Sequence, residues 1–332
     1  ASALSMVVGA GATIDAGGPS WPALVRRLLD IALTKGHEIT EMVRTPDSTE
    51  DHLTMERRVI DVKRLDSQQE MIARHVLGLI DAGKADTEDL MLGAQLCYDL
   101  FGQHLFMHLT GILYENGRQP GAIHQAIADL ADFQLVPDRG PGLFPGLDSI
   151  ITYNFEDLLG EALDARGFGR VAWAMRGDEM AGDPNEIARK AGQNSDYLHI
   201  YHLHGYTPRR LFLITQVRFI FSTAQYLREY QDRRSGIIDN VFYQYLANPV
   251  HYALYVGCSF DDDAMNDLLR HAASQLPGRQ HYALLHWPGP KPYLQSGMDE
   301  LEKAAERYVD IGVRPIWFDD FDEIPGMIRL LK

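Results

Sequence analysis

The residues best suited to chemistry stand at the start of the chain. Val7-Val8-Gly9-Ala10-Gly11-Ala12-Thr13 follows a short apolar run and leads into Asp15-Ala16-Gly17-Gly18-Pro19-Ser20-Trp21. A buried strand, a Gly-x-Gly turn and a helix start are the parts with which a doubly wound sheet holds a dinucleotide pyrophosphate. The glycines let backbone approach the phosphates, and the helix start supplies N–H groups and a positive dipole end. A Gly-x-Gly pair alone is equally what a tight strand-to-helix turn needs, so the reading rests on three further segments.

In Ile150-Ile151-Thr152-Tyr153-Asn154-Phe155-Glu156-Asp157 an apolar strand ends at Thr152 and a helix follows Asn154. A polar residue there either projects into the ligand crevice or caps the helix. In Tyr201-His202-Leu203-His204-Gly205 the two histidines fall on one face of a strand. With His199 they outline a metal cluster, but no carboxylate or thiolate nearby completes it. Packed histidines are the plain alternative; a histidine at a strand end, followed by Gly where a ligand approaches, is the functional one. Leu254-Tyr255-Val256-Gly257-Cys258-Ser259-Phe260-Asp261-Asp262-Asp263 is another buried strand ending in Gly-x-Ser. Its acidic run suits a helix N-terminus, which leaves the Gly and Ser to be explained.

Elements that position these segments are legible in outline. Strands are expected at 4–8, 149–152, 200–203, 252–256, 282–285 and 314–318, with helices at about 155–165, 223–231, 235–246, 263–274 and 297–308. Such alternation predicts a parallel sheet covered on both faces. Ser20 and Pro22 start a helix whose apolar face is Leu24, Val25, Leu28, Leu29 and Ala32. Residues 37–146 carry helical spacing without strand signals, and 137–147 are rich in Pro and Gly. The expected organisation is a Rossmann-like α/β domain, 1–36 plus 147–332, interrupted by an all-helical insertion at 37–146.

Composition narrows the function. Of 332 residues, 46 are acidic and 31 basic, a net charge of −15, which argues against direct nucleic-acid binding. No apolar run reaches the roughly 18 residues needed to span a bilayer, and no basic patch precedes the first apolar run, so neither membrane insertion nor a signal peptide is expected. The only cysteines, Cys97 and Cys258, make no disulfide framework or four-thiolate zinc site and fit a reducing cytoplasm.

Together the four segments resemble the sirtuin family. Gly9-Ala10-Gly11-Ala12-Thr13 with Ala16-Gly17-Gly18-Pro19 is similar to the family's cofactor loop. Thr152-Tyr153-Asn154-Phe155-Glu156 resembles its Thr-Gln-Asn-Ile-Asp, His204-Gly205 its catalytic His-Gly, and Gly257-Cys258-Ser259 its Gly-Thr-Ser. The four zinc cysteines of the deacylases are absent between 205 and 256, the Arg after the Pro is replaced within Ser20-Trp21-Pro22, and Glu156 stands where Asp is usual. These departures, with Tyr206 and Ile220-Phe221-Ser222, are similar to the bacterial sirtuin-like branch of anti-phage defence, which lacks the zinc ribbon.

The resemblance implies an NAD+ hydrolase that releases nicotinamide and ADP-ribose in phage-infected cells. It implies Asn154 and His204 as catalytic residues, the first orienting water and ribose, the second acting as general base. Gly9, Ala10, Gly11 and Thr13 are expected at the pyrophosphate, Asp15 and Trp21 over the nicotinamide, and Gly257, Ser259 and Phe260 at the adenosine end, with no metal. An NAD-dependent deacylase and a non-catalytic NAD or ADP-ribose sensor are the alternatives; a dehydrogenase is disfavoured because Asp30 sits mid-helix. Free NADase activity is toxic, so control by homo-oligomerisation or by a partner such as a HerA-type ATPase is expected.

Overall fold

The structure, a computed structural model, describes residues 3–35, 37–44, 55–134, 147–167, 170–174, 198–209, 219–221, 225, 245–249, 251–278, 281–287 and 297–331. In chain order the elements are β1 (Ala3–Val8), α1 (Ala10–Asp15), α2 (Trp21–Thr34), β2 (His37–Arg44), β3 (Met55–Lys63), α3 (Ser67–Asp81), α4 (Thr87–Phe101), α5 (Leu105–Leu113), α6 (Ala122–Gln134), β4 (Leu147–Thr152), α7 (Leu158–Asp164), β5 (Arg170–Ala174), β6 (Leu198–His202), β7 (His251–Val256), α8 (Asp263–Gln275), β8 (His281–His286), α9 (Gly297–Val309), β9 (Val313–Phe318) and α10 (Ile324–Arg329). Among the described residues no helix is long and apolar enough to cross a membrane.

The chain divides into two compact units. The first comprises Ala1–Ser20, Leu113–Ile220 and Gln225–Lys332. It is built on a seven-stranded sheet in the order β5-β6-β4-β1-β7-β8-β9, and every pairing in it is parallel. Successive strand residues point to opposite faces, and each face carries its own core. Val7, Ile151, Tyr201 and Tyr255 pack with Leu268 and Leu269 of α8. Met6, Val8, Ile150, Ile200 and Val256 pack with Ile127 of α6, Leu159 of α7 and Ile328 of α10. The fold is therefore the doubly wound, Rossmann-like α/β arrangement expected.

From β1 the chain moves out to β4 and β6, then returns to β7 on the other side of β1. The elements that follow β1 and β7 thus pack on opposite faces, the topological switch point at which doubly wound sheets bind ligands. Two turns meet there at backbone distance. Gly9 N–H donates to Val256 O and Gly11 N–H to Gly257 O, both at 2.9 Å. A Cβ on Gly11 would lie 2.6 Å from Gly257 Cα, and one on Gly9 would lie 2.5 Å from Gly257 O.

The second unit is Trp21–Ile112 with Phe221–Ala224. In it α2, α3 and α4 pack together, burying the expected apolar face of α2. Gly93 of α4 permits the close approach: its Cβ would meet Val25, Leu29 and Val76 at 3.0–3.2 Å. Capping boxes open α3, at Asp66 and Gln69, and α4, at Asp86 and Asp89.

Residues 37–146 are not all-helical. Strands β2 and β3 form an antiparallel pair of their own, and the central sheet takes no strand from the described residues of this block. The units also part at Ser20/Trp21 and Ile112/Leu113 rather than at 36/37 and 146/147, because α2 packs with α3 and α4 while α6 packs with α7 and α10. Strand β5 was not among the strands expected. Of the expected linker 137–147 only Leu147, the first residue of β4, is described, and the helices expected at 223–231 and 235–246 lie almost wholly outside the described residues.

Replacing Gly11 by Ala is expected to lower unfolding free energy by about 2 kcal/mol, since the new methyl group meets backbone that cannot step aside. Gly326 of α10 faces open space, so Gly326→Ala should stabilise by about 0.5 kcal/mol. Denaturant titration of both variants checks this; a Gly11→Ala protein as stable as wild type contradicts the turn-on-turn account.

Candidate active site

The sequence segments converge on the carboxyl ends of β1, β4, β6 and β7. Thr152 at the end of β4 donates its hydroxyl to Val8 O at 3.0 Å and accepts from Asn154 N–H at 3.1 Å. Asn154 is buried, and its Nδ2 donates to Gly9 O at 2.9 Å. It does not cap a helix: α7 begins at Leu158 with Asp157 in the capping position. Its carboxamide instead ties the β4 loop to the glycine turn.

The β4 and β6 loops run together. Leu203 N–H donates to Thr152 O at 2.9 Å, and Thr207 N–H donates to Phe155 O at 2.6 Å. His202 Nδ1–H donates to Asn154 O at 3.2 Å. Strand β6 ends at His202, so the chain turns before His204 and the two histidines do not share a strand face. His202 is buried, whereas His204 is partly exposed. The His204 ring meets Tyr153 edge-on, centroids 5.0 Å apart. Burial pushes the His204 imidazole down from 6.5 to about 4, because desolvation penalises its charged form. This favours the neutral form of the His204 ring.

A buried polar network lies behind these loops. Thr13 donates to Glu156 Oε1 at 2.7 Å, so its hydroxyl is directed beneath the glycine turn rather than onto its open side. Glu156 pairs across to Thr207 in an isolated parallel bridge. His124 Nδ1 accepts from Gly121 N–H at 3.2 Å, and its Nε2 lies 3.9 Å from Glu156 Oε1. Burial raises the Glu156 carboxyl above its ordinary value and lowers His124 to about 4. Alongside, the Tyr114 hydroxyl donates to Thr207 O and accepts from Asp157 N–H, both at 2.6 Å, and Tyr206 donates to Asp157 at 2.7 Å.

The remaining expected residues have distinct places. Gly9 is buried, and Ala10 is exposed beside it. The Gly11 amide is engaged by Gly257 O. Asp15 Oδ2 accepts from Ile123 N–H at 2.8 Å, so the carboxylate holds the start of α6. Trp21 begins α2 in the second unit, where its ring meets Phe221 edge-on at 5.1 Å. Ser259 is exposed, while Phe260 turns inward between Tyr255 and Tyr308 at 5.2 and 5.5 Å. No group of three or more His, Cys, Asp or Glu among the described residues is arranged to hold a metal ion. His124 and Tyr114 carry no motif of their own, and sequence reasoning passed over both.

His124 should make stability pH-dependent. Unfolded, it titrates near 6.5; folded, near 4. The unfolded chain thus takes up the proton first, and stability held above pH 6.5 is lost as pH falls toward 4, by on the order of 3 kcal/mol. Raised Glu156 acts in the opposite sense, so the effect is isolated by comparison with His124→Gln. Denaturant midpoints at pH 7 and 4.5 should fall less in that variant, and equal falls would contradict the assignment.

Comparison with known proteins agrees with this geometry. A family model described as a SIR2-like domain matches residues 148–315, just over half of the chain. The match includes Asn154, Glu156, His204 and the Gly257–Phe260 turn, and leaves β1 and its glycines outside. A search of curated proteins gave no match. The chain belongs to the SIR2-like domain family, and NAD binding and NAD-related enzymatic activity come with that membership.

Proposed function

We propose that the protein is an NAD+ glycohydrolase, cleaving NAD+ with water to nicotinamide and ADP-ribose. The observation that carries this reading is the bond from Asn154 to the glycine turn, with the partly exposed His204 set against the ring of neighbouring Tyr153 at the same end of the sheet. Asn154 commits its Nδ2 to Gly9 O and offers Oδ1 to orient a water molecule and the ribose. His204 takes the proton from that water as its oxygen bonds to the anomeric carbon. The electron pair of the broken C–N bond leaves with nicotinamide, which cancels the pyridinium charge. Ala10 and Ser259, exposed on the two facing turns, contact the ADP portion, and the closely packed loops limit access of bulk water. Depletion of NAD+ during phage infection, with control by self-assembly or a HerA-type partner, is the wider role that the resemblance supports.

Asn154→Ala and His204→Ala should each reduce nicotinamide release at least about a hundredfold, the scale of a lost general base or positioning group. Near-wild-type release from either folded variant would contradict the site. With His204 titrating at about 4, wild-type activity should stay level from pH 8 to 6 and fall as pH approaches 4. A steep loss centred on pH 6.5 would show that His204 titrates as an ordinary imidazole or is not the base.

A further inference from the structure

The turn after β7 holds two residues in the left-handed region, Gly257 at φ 67° and Phe260 at φ 61°. Glycine accepts that conformation; an aromatic residue does so against steric resistance. Such strain persists only where the surroundings over-determine it. Two anchors are present. The Phe260 ring is buried between Tyr255 and Tyr308. Its carbonyl accepts from Asn266 Nδ2 at 2.8 Å, while Asn266 Oδ1 is buried with no protein partner. Asn266 stands in the first turns of α8, directly after the cap in which Asp262 accepts from Met265 N–H at 2.9 Å. The ring fixes the side chain, and the amide fixes the peptide plane. Between them Ser259 is turned outward at the carboxyl end of β7.

We infer that Asn266 is a positioning residue: by holding the Phe260 carbonyl it keeps the strained 257–260 turn in the form that binds the ADP-ribose portion of the substrate. This rests on the NAD reading above. Asn266 makes no contact with the reacting atoms in this account, so its loss should raise KM and leave kcat nearly unchanged.

Asn266→Asp keeps the volume, removes the donor and sets a carboxylate oxygen against the carbonyl. Amide hydrogen exchange at residues 257–261 and calorimetric titration with ADP-ribose are read in wild type and variant. We expect exchange and the ADP-ribose Kd each to rise about tenfold, the loss of one well-placed hydrogen bond, with kcat within twofold. Asn266→Ala, which introduces no repulsion, serves if the aspartate variant does not fold. Unchanged exchange overturns the positioning role, whatever the wild type binds. Faster exchange with unchanged affinity overturns its link to the ligand. Failure of the wild type to bind ADP-ribose is a separate result, which overturns the NAD reading beneath the inference.

Discussion

The site depends on one contact between backbones. The turns after β1 and β7 touch through Gly9, Gly11 and Gly257, with no room for a Cβ on the first two. Their amides carry the sheet's hydrogen bonding past the strand ends, onto Val256 O and Gly257 O. This changes the meaning of a Gly-x-Gly sequence. Its glycines are required first by the packing of turn on turn, and the side left open exposes Ala10 and Ser259. Asn154 adds a third loop to the contact through Gly9 O, so a shift in one turn would displace a candidate catalytic group in another.

Beneath these turns the chain buries a carboxylate, which carries a desolvation cost. Glu156 offsets part of that cost by accepting from Thr13. The arrangement links α1, the loop after β4 and the start of α6 through the buried side chains of Thr13, Glu156 and His124. Asp15 reinforces it by accepting from Ile123 N–H at the start of α6. Such groups act on chemistry through position. His204 lies at the partly exposed edge of these loops, where the protein packed around its ring disfavours the charged form.

Strand–helix alternation after residue 147 was readable because strands buried on both faces appear as short apolar runs. The edge strand β5, Arg-Val-Ala-Trp-Ala, has the same short apolar character and was nonetheless not singled out. The rule fails for β2 and β3 because Glu38-Ile39-Thr40-Glu41-Met42 and Arg57-Arg58-Val59-Ile60-Asp61 show no clean alternation, and their pairing is with each other. Asn154 and His204 stood out as polar residues just past apolar strands, but capping and plain packing explained them equally well, and their roles came from the family resemblance. Direction was not legible. Thr13 and Phe260 sit within the expected motifs yet point inward, and only the fold reveals Glu156, His124 and Thr13 as neighbours across long sequence separations.

A crystal structure of the protein with ADP-ribose would locate the ligand relative to the three joined loops. The ligand should lie across the carboxyl ends of β1 and β7, its ribose beside Asn154 and His204 and its diphosphate against Ala10 and the Ser259 turn. Ordered ADP-ribose bound elsewhere, with those turns bare, would contradict this placement.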